Sequence, residues 1–134
     1  MKFFFDENFA PPIARALNVL ETHSDDEVLN IIDVFDRGVA DEEWIPFVGE
    51  EDGIIITQDY NIHRIRQQRE LYIKYQLGLF VFKPPSKKGY KYWKWVQVVI
   101  ERWEDLKTTA KHSTKPFGYI YRPRSKKLLT LYEQ

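Results

Sequence analysis

The stretch Gly53-Ile54-Ile55-Ile56-Thr57 carries three isoleucines in a row. A strand that alternates apolar and polar residues buries one face; one that is apolar at consecutive positions must be covered on both. Such a strand lies inside a sheet and requires helices above and below it. The rest of the chain supplies that pattern. Lys2–Phe5 and Leu79–Phe82 are further short apolar runs that read as buried strands, and Val28–Phe35 reads as another. A helix starts at Pro11-Pro12, where proline suits the first turn, with Ile13, Leu17 and Leu20 on its inner face. Asp41-Glu42-Glu43 opens a second helix, acids at its positive end, and Pro46 predicts a delay or a kink there. His63–Leu77 reads as a third helix with Gly78 as its stop. The longest, Tyr92–Ala110, aligns Tyr92, Val96, Val99, Trp103, Leu106 and Ala110 in one stripe. Phe117–Arg122 and Lys127–Tyr132 flank Pro123-Arg124-Ser125 and read as a terminal hairpin. Strand–helix alternation over most of the chain predicts an α/β fold with a mainly parallel sheet.

The 134 residues contain no repeat and no linker, so a single domain over 1–134 is expected. Cysteine is absent, which excludes disulfides and thiolate metal sites, and the three histidines are scattered. No apolar run approaches the roughly 18–20 residues of a membrane span. The opening Met-Lys-Phe-Phe-Phe turns acidic too soon for a signal peptide. The expectation is a cytoplasmic protein with no membrane partner.

The formal net charge is zero, but the charges are segregated. Residues 1–62 carry 15 acidic and 3 basic side chains, a net −12, and residues 63–134 carry 17 basic and 5 acidic, a net +12. Such asymmetry points to a nucleic-acid or protein partner, or to a fold that interleaves and neutralises the two halves.

In a parallel sheet, ligands gather at the carboxyl ends of the strands. Asp6-Glu7 ends the first strand, Asp59 ends the Gly53–Thr57 strand, and Asn61 follows it. Asp41-Glu42-Glu43 opens the helix before that strand. Carboxylates brought to one edge repel one another and stay ionised with a cation between them. Mg²⁺ or Mn²⁺, a hard ion held by oxygen, suits such a set and can activate water against a phosphodiester. Each residue also has a plainer role. Asp6 or Asn8 would cap the helix at Pro11, Asp41 and Asp59 would cap the helices after them, and Glu42 and Glu43 would be a solvated first turn. Glu50-Glu51-Asp52 reads as surface, and Asp33 and Asp36 as loop residues or cluster members.

These residues carry a resemblance. Phe-Phe-Phe-Asp6-Glu7-Asn8-Phe-Ala-Pro-Pro-Ile-Ala-Arg-Ala-Leu resembles the start of PIN-like domains, a group that includes toxins of toxin–antitoxin pairs. Gly38-Val-Ala-Asp41-Glu42-Glu43-Trp-Ile resembles their second acidic motif, and Gly53-Ile-Ile-Ile-Thr-Gln-Asp59-Tyr-Asn61 their third. The three motifs span residues 1–62 and are specific by order and spacing together. The resemblance implies a three-layer α/β/α fold and an endoribonuclease dependent on Mg²⁺ or Mn²⁺. It implies Asp6 and Asp59 as principal metal ligands, Asp41 as the second motif's acid with Glu42 or Glu43 beside it, and Asn61 at a further polar position. Asn8 matches a position that places water or substrate. An RNA substrate, an antitoxin protein and a homodimer are the partners it implies.

The basic half offers phosphate contacts. Arg64 and Arg66 follow Asn61, Lys87 and Lys88 lie in the Pro-Pro loop, and Arg122, Arg124, Lys126 and Lys127 cluster at the hairpin tip. Tyr60, Tyr90 and Tyr92 are candidates for stacking on bases of single-stranded RNA. Two other classes compete. A receiver-type phosphoacceptor would use Asp6-Glu7, Asp59 and Lys83-Pro84, though the residues after Asp59 are bulky and basic. A non-catalytic PIN-like module would bind RNA or protein without turnover.

Overall fold

The computed structural model describes residues 1–58 and 61–133, apart from the side chains of residues 62–65 and 133. Six strands form one sheet in the order β2-β1-β3-β4-β5-β6, with β1 at Lys2–Phe5, β2 at Glu27–Asn30 and β3 at Gly53–Thr57. β4 covers Gly78–Phe82, β5 Phe117–Tyr121 and β6 Leu128–Glu133. All neighbours are parallel except β5 and β6, which form the expected antiparallel hairpin. Helices α1 (Pro11–Leu20), α2 (Asp41–Glu50), α3 (Ile62–Lys74) and α4 (Tyr92–His112) connect the strands.

Alternation along the strands separates two cores. Phe3, Phe5, Ile54, Ile56, Phe80 and Phe82 pack beneath α1 and α4, while Phe4, Ile55, Leu79 and Val81 pack against α2 and α3. β3 is buried at all five positions, as its isoleucines require. The α1/α4 side is aromatic: Trp103 lies 5.0 Å from Phe3 and 6.2 Å from Phe5, and Trp95 lies 5.2 Å from Phe9, centroid to centroid. The β4–α4–β5 connection moves outward along the sheet as β3–α3–β4 does, yet runs on the opposite face. It therefore has the opposite hand from the other three crossovers, a rare arrangement. No helix follows β5, so without α4 on this side Phe80 and Phe82 would have no cover.

Two boundaries differ from expectation. The strand expected over Val28–Phe35 stops at Asn30, and Ile31–Asp33 form a single 3-10 turn. The buried Asn30 causes this: its Oδ1 accepts from the Ile32 N–H at 3.0 Å, a side-chain bond that replaces the next ladder bond. Gly78 does not stop α3. Gln76 takes the left-handed position (φ 57°), the Leu77 N–H reaches the Tyr72 carbonyl at 2.9 Å, and Gly78 opens β4. A Cβ at Gly78 would lie 2.4 Å from the Phe117 ring, so the glycine serves close packing. Pro46 lies inside α2, which still begins at Asp41.

Far from the sheet's carboxyl edge, Glu21 is buried and gathers Trp103 Nε1 (2.9 Å), Lys107 Nζ (2.6 Å) and Ser24 Oγ (2.6 Å). Burial works to raise its pKa, but the hydrogen bonds and the lysine charge outweigh it and hold the carboxyl at about 2. Nothing in the local sequence announces this residue, because Trp103 and Lys107 lie 82 and 86 positions away.

Candidate active site

Strand order sets the location. β1 is followed by a move to β2 on one side, and β3 lies on its other side, so the chain reverses direction between β1 and β3. Ligand crevices in open α/β sheets open at that point, beyond the carboxyl ends of the strands. Phe5 pairs with Ile56, so the next residues, Asp6 and Thr57, stand side by side on the α2/α3 side of the sheet. The Asp6 N–H donates to the Ile56 carbonyl at 3.0 Å and extends the ladder by one bond.

Three neutral donors are among the partners of the Asp6 side chain. Thr57 Oγ1 donates to Oδ2, the Asn8 N–H donates to Oδ1 at 3.1 Å, and Asn8 Nδ2 donates to Oδ2 at 3.3 Å. Such donors fix the direction of the carboxylate oxygens. The backbone beneath is braced by Asn30, whose Nδ2 donates to the carbonyls of Asp6 (3.3 Å) and Phe9 (3.2 Å). Asn30 and Thr57 are thus supporting residues that the acidic motifs do not single out. For Asn30 the available signal is a polar amide inside an apolar, β-branched run.

The second acidic segment arrives at the same edge. Glu7 Oε2 accepts from the Gly38 N–H at 2.9 Å, which ties the loop before α2 to the loop after β1. Asp41 is the first residue of α2, with Ala40 rather than Asp41 at the cap position. Its carboxylate accepts from Trp44 Nε1 at 3.0 Å and from Gln68 Nε2 at 2.5 Å, and Gln68 in turn accepts from the Tyr72 hydroxyl at 2.6 Å. Asp41 therefore joins α2 to α3. Glu42 and Glu43 are exposed on the first turn of α2. Asp33 belongs elsewhere, in a bidentate pair with Arg15 (2.6 and 3.2 Å). Asp59 and Tyr60 lie outside the described residues, as does the side chain of Arg64. Among the described residues no three acidic or histidine side chains are grouped to hold a metal. The donors at the β1 end are nonetheless all oxygens: the Asp6 carboxylate, the Thr57 hydroxyl and the Asn8 amide carbonyl. That chemistry fits Mg²⁺ or Mn²⁺ rather than a soft metal.

On the α1/α4 side, Asn8 and Gln58 line a pocket of about 310 Å³ together with Lys88, Tyr90, Tyr92 and Trp95. Gln58 Nε2 also donates to the Asn8 carbonyl, which fixes the loop. The fold thus brings Lys88 from the Pro-Pro loop to Asn8 and, through it, to Asp6. Lys87 is exposed on the same loop, Asn61 is exposed just before α3, and Arg66 is exposed on α3.

A family described as "PIN like domain" matches residues 1–84 of the chain. No curated protein and no solved structure matches it. No helix among the described residues is long and apolar enough to cross a membrane.

Proposed function

Because the chain belongs to the PIN-like domain family, we propose that it is an endoribonuclease that hydrolyses RNA phosphodiesters with a carboxylate-bound Mg²⁺ or Mn²⁺. One observation carries this reading: Asp6, oriented by Thr57 and Asn8, stands at the chain-reversal point of the sheet, and Asn8 links it to a pocket lined by Lys88. Asp6 and Asp59 would hold the cation, with Asp41 and the adjacent Glu42 and Glu43 nearest in the second motif. When bound, the cation supplies an activated water and neutralises charge on the phosphate.

The chain's own residues do the rest. Thr57 fixes the direction of the Asp6 carboxylate. Asn8 spans from Asp6 to the pocket, where its amide can meet a phosphate oxygen or a water. Lys88 and Lys87, with Arg64 and Arg66 beyond Asn61, supply positive charge for the backbone of a single strand. We assign the protein the part of a toxin that an antitoxin protein holds in check; the support for this is the resemblance to PIN-like domains, a group that includes such toxins.

Asp6→Asn keeps the volume and removes the charge. Cleavage of single-stranded RNA in Mg²⁺ should fall by more than 100-fold while RNA binding persists. Equal cleavage by the unaltered protein in excess EDTA would sink the mechanism.

A further inference from the structure

Mostly from residues beyond 84, where the family match ends, the chain builds a second pocket. It has a volume of about 530 Å³ and lies between the loop after β4, the start of α4 and the tip of the β5–β6 hairpin. Lys83, Lys94, Arg122, Arg124 and Lys126 line it, and among the described lining residues Glu101 is the only acid. Lys94, Arg122, Arg124 and Lys126 make no ion pair among the described residues. Arg102 is differently used: its guanidinium donates to the Ser125 carbonyl and lies 5.1 Å from the Tyr121 ring centroid, bracing the tip.

Two further observations give this charge a direction. Tyr90 lines both this pocket and the one shared by Asn8, Gln58 and Lys88, so the two adjoin at its ring. Three strand spacings of about 4.8 Å separate the β1 and β5 ends, or about 14 Å, a span of a few nucleotides. The tip itself is built against backbone preference. Pro123 suits the second position of a tight turn, and the third then calls for glycine, but Arg124 occupies it at φ 57°. A left-handed residue with a Cβ is disfavoured, and the side chain retained there is a cation that lines the pocket.

We infer that this pocket is a second RNA subsite, which holds backbone phosphates of a single strand a few nucleotides from the bond at Asp6, with Tyr90 as the stacking platform between the two positions. The inference rests on the ribonuclease reading for its substrate, not for its chemistry. The adjacency of the two pockets at Tyr90 favours a strand over an acidic peptide, which would need no route toward Asn8 and Asp6.

The test is fluorescence anisotropy with a labelled single-stranded oligoribonucleotide in EDTA, so that no cleavage intervenes, across a salt series. Arg124→Gly should melt at the same or a higher temperature and yet bind several-fold more weakly, a pairing that a merely structural arginine does not produce. In the triple variant Arg122→Ala, Arg124→Gly, Lys126→Ala the slope of log affinity against log salt should shrink by about 0.7 for each phosphate no longer neutralised. Unaltered affinity and slope in a folded triple variant would overturn the subsite. So would displacement of the RNA by equimolar polyglutamate, which would assign the pocket to an acidic protein. A reduced slope in a protein that never cleaves RNA in Mg²⁺ or Mn²⁺ supports the subsite and refutes the ribonuclease reading alone.

Discussion

The Thr57 hydroxyl donates to the Asp6 carboxylate, and through that bond the end of β3 is fastened to the end of β1. The bond is specified by register: Phe5 faces Ile56, so the following residues meet. Thr57→Val keeps the shape and removes the donor. Because Asp6 is only half-buried and keeps access to water, stability should change by no more than about 1 kcal/mol. RNA cleavage should fall by about 10–100-fold, the usual effect of losing a residue that orients a metal ligand. Thr57→Ser should recover most of it. A Mg²⁺ titration of cleavage checks both variants, and full activity in Thr57→Val would remove Thr57 from the site.

Glu21 predicts an acid limit to stability. Its folded pKa, about 2, lies below the ordinary unfolded value of about 4.3. A depressed carboxylate contributes fully above the unfolded pKa and loses that contribution as pH falls toward the folded one. Urea midpoints should therefore drop between about pH 4.3 and about pH 2. Glu21→Gln should cost about 2 kcal/mol at pH 7, from the loss of charge-assisted bonds, and flatten that part of the profile. An unchanged acid profile in the variant would count against this account.

Gly78 predicts a penalty of packing rather than of helix capping. Alanine there places a methyl group 2.4 Å from the Phe117 ring, where the first residues of β4 and β5 pair and both are buried. Gly78→Ala should destabilise by about 1–3 kcal/mol, read as a lower melting temperature. A neutral result would mean that the ring moves aside freely.

Tyr132 predicts the reverse sign. Its hydroxyl is buried with no hydrogen-bond partner among the described residues, and burial pushes its pKa up. The Arg69 guanidinium lies 5.8 Å from the ring centroid, over its face rather than at the oxygen. Tyr132→Phe removes the unsatisfied group and keeps the ring, so stability should hold or rise by about 1 kcal/mol in thermal unfolding. A marked loss would show that the hydroxyl is satisfied by an internal water.

The parts of the fold legible in the sequence are those fixed by short-range pattern. The run at Gly53–Thr57, the proline pair at Pro11 and the acids at Asp41 each name their element without help from distant residues. The hairpin is equally plain, and so is the shared edge of Asp6 and the β3 end, because parallel register follows from the alternation. The features that short-range pattern misses are decided at long range. Nothing near Gly78 points to Phe117, and nothing near Glu21 points to Trp103. Asn30 ends a strand that β-branched neighbours would have continued, because its amide has two carbonyls and an N–H to satisfy. The two charge halves of the chain meet in the fold: Lys107 pairs with Glu21, Lys115 pairs with Asp52, and Lys88 lines the pocket of Asn8, while the hairpin cations line a pocket of their own.

The placement of α4 on the α1 side makes β1 depend on distant sequence. α1 and Phe9 cover part of the Phe3 and Phe5 face, but the Trp103 ring that packs on both lies beyond residue 84. A chain cut after residue 84 would keep the segment that defines the family and lose that cover, so this segment is not expected to be a folding unit by itself.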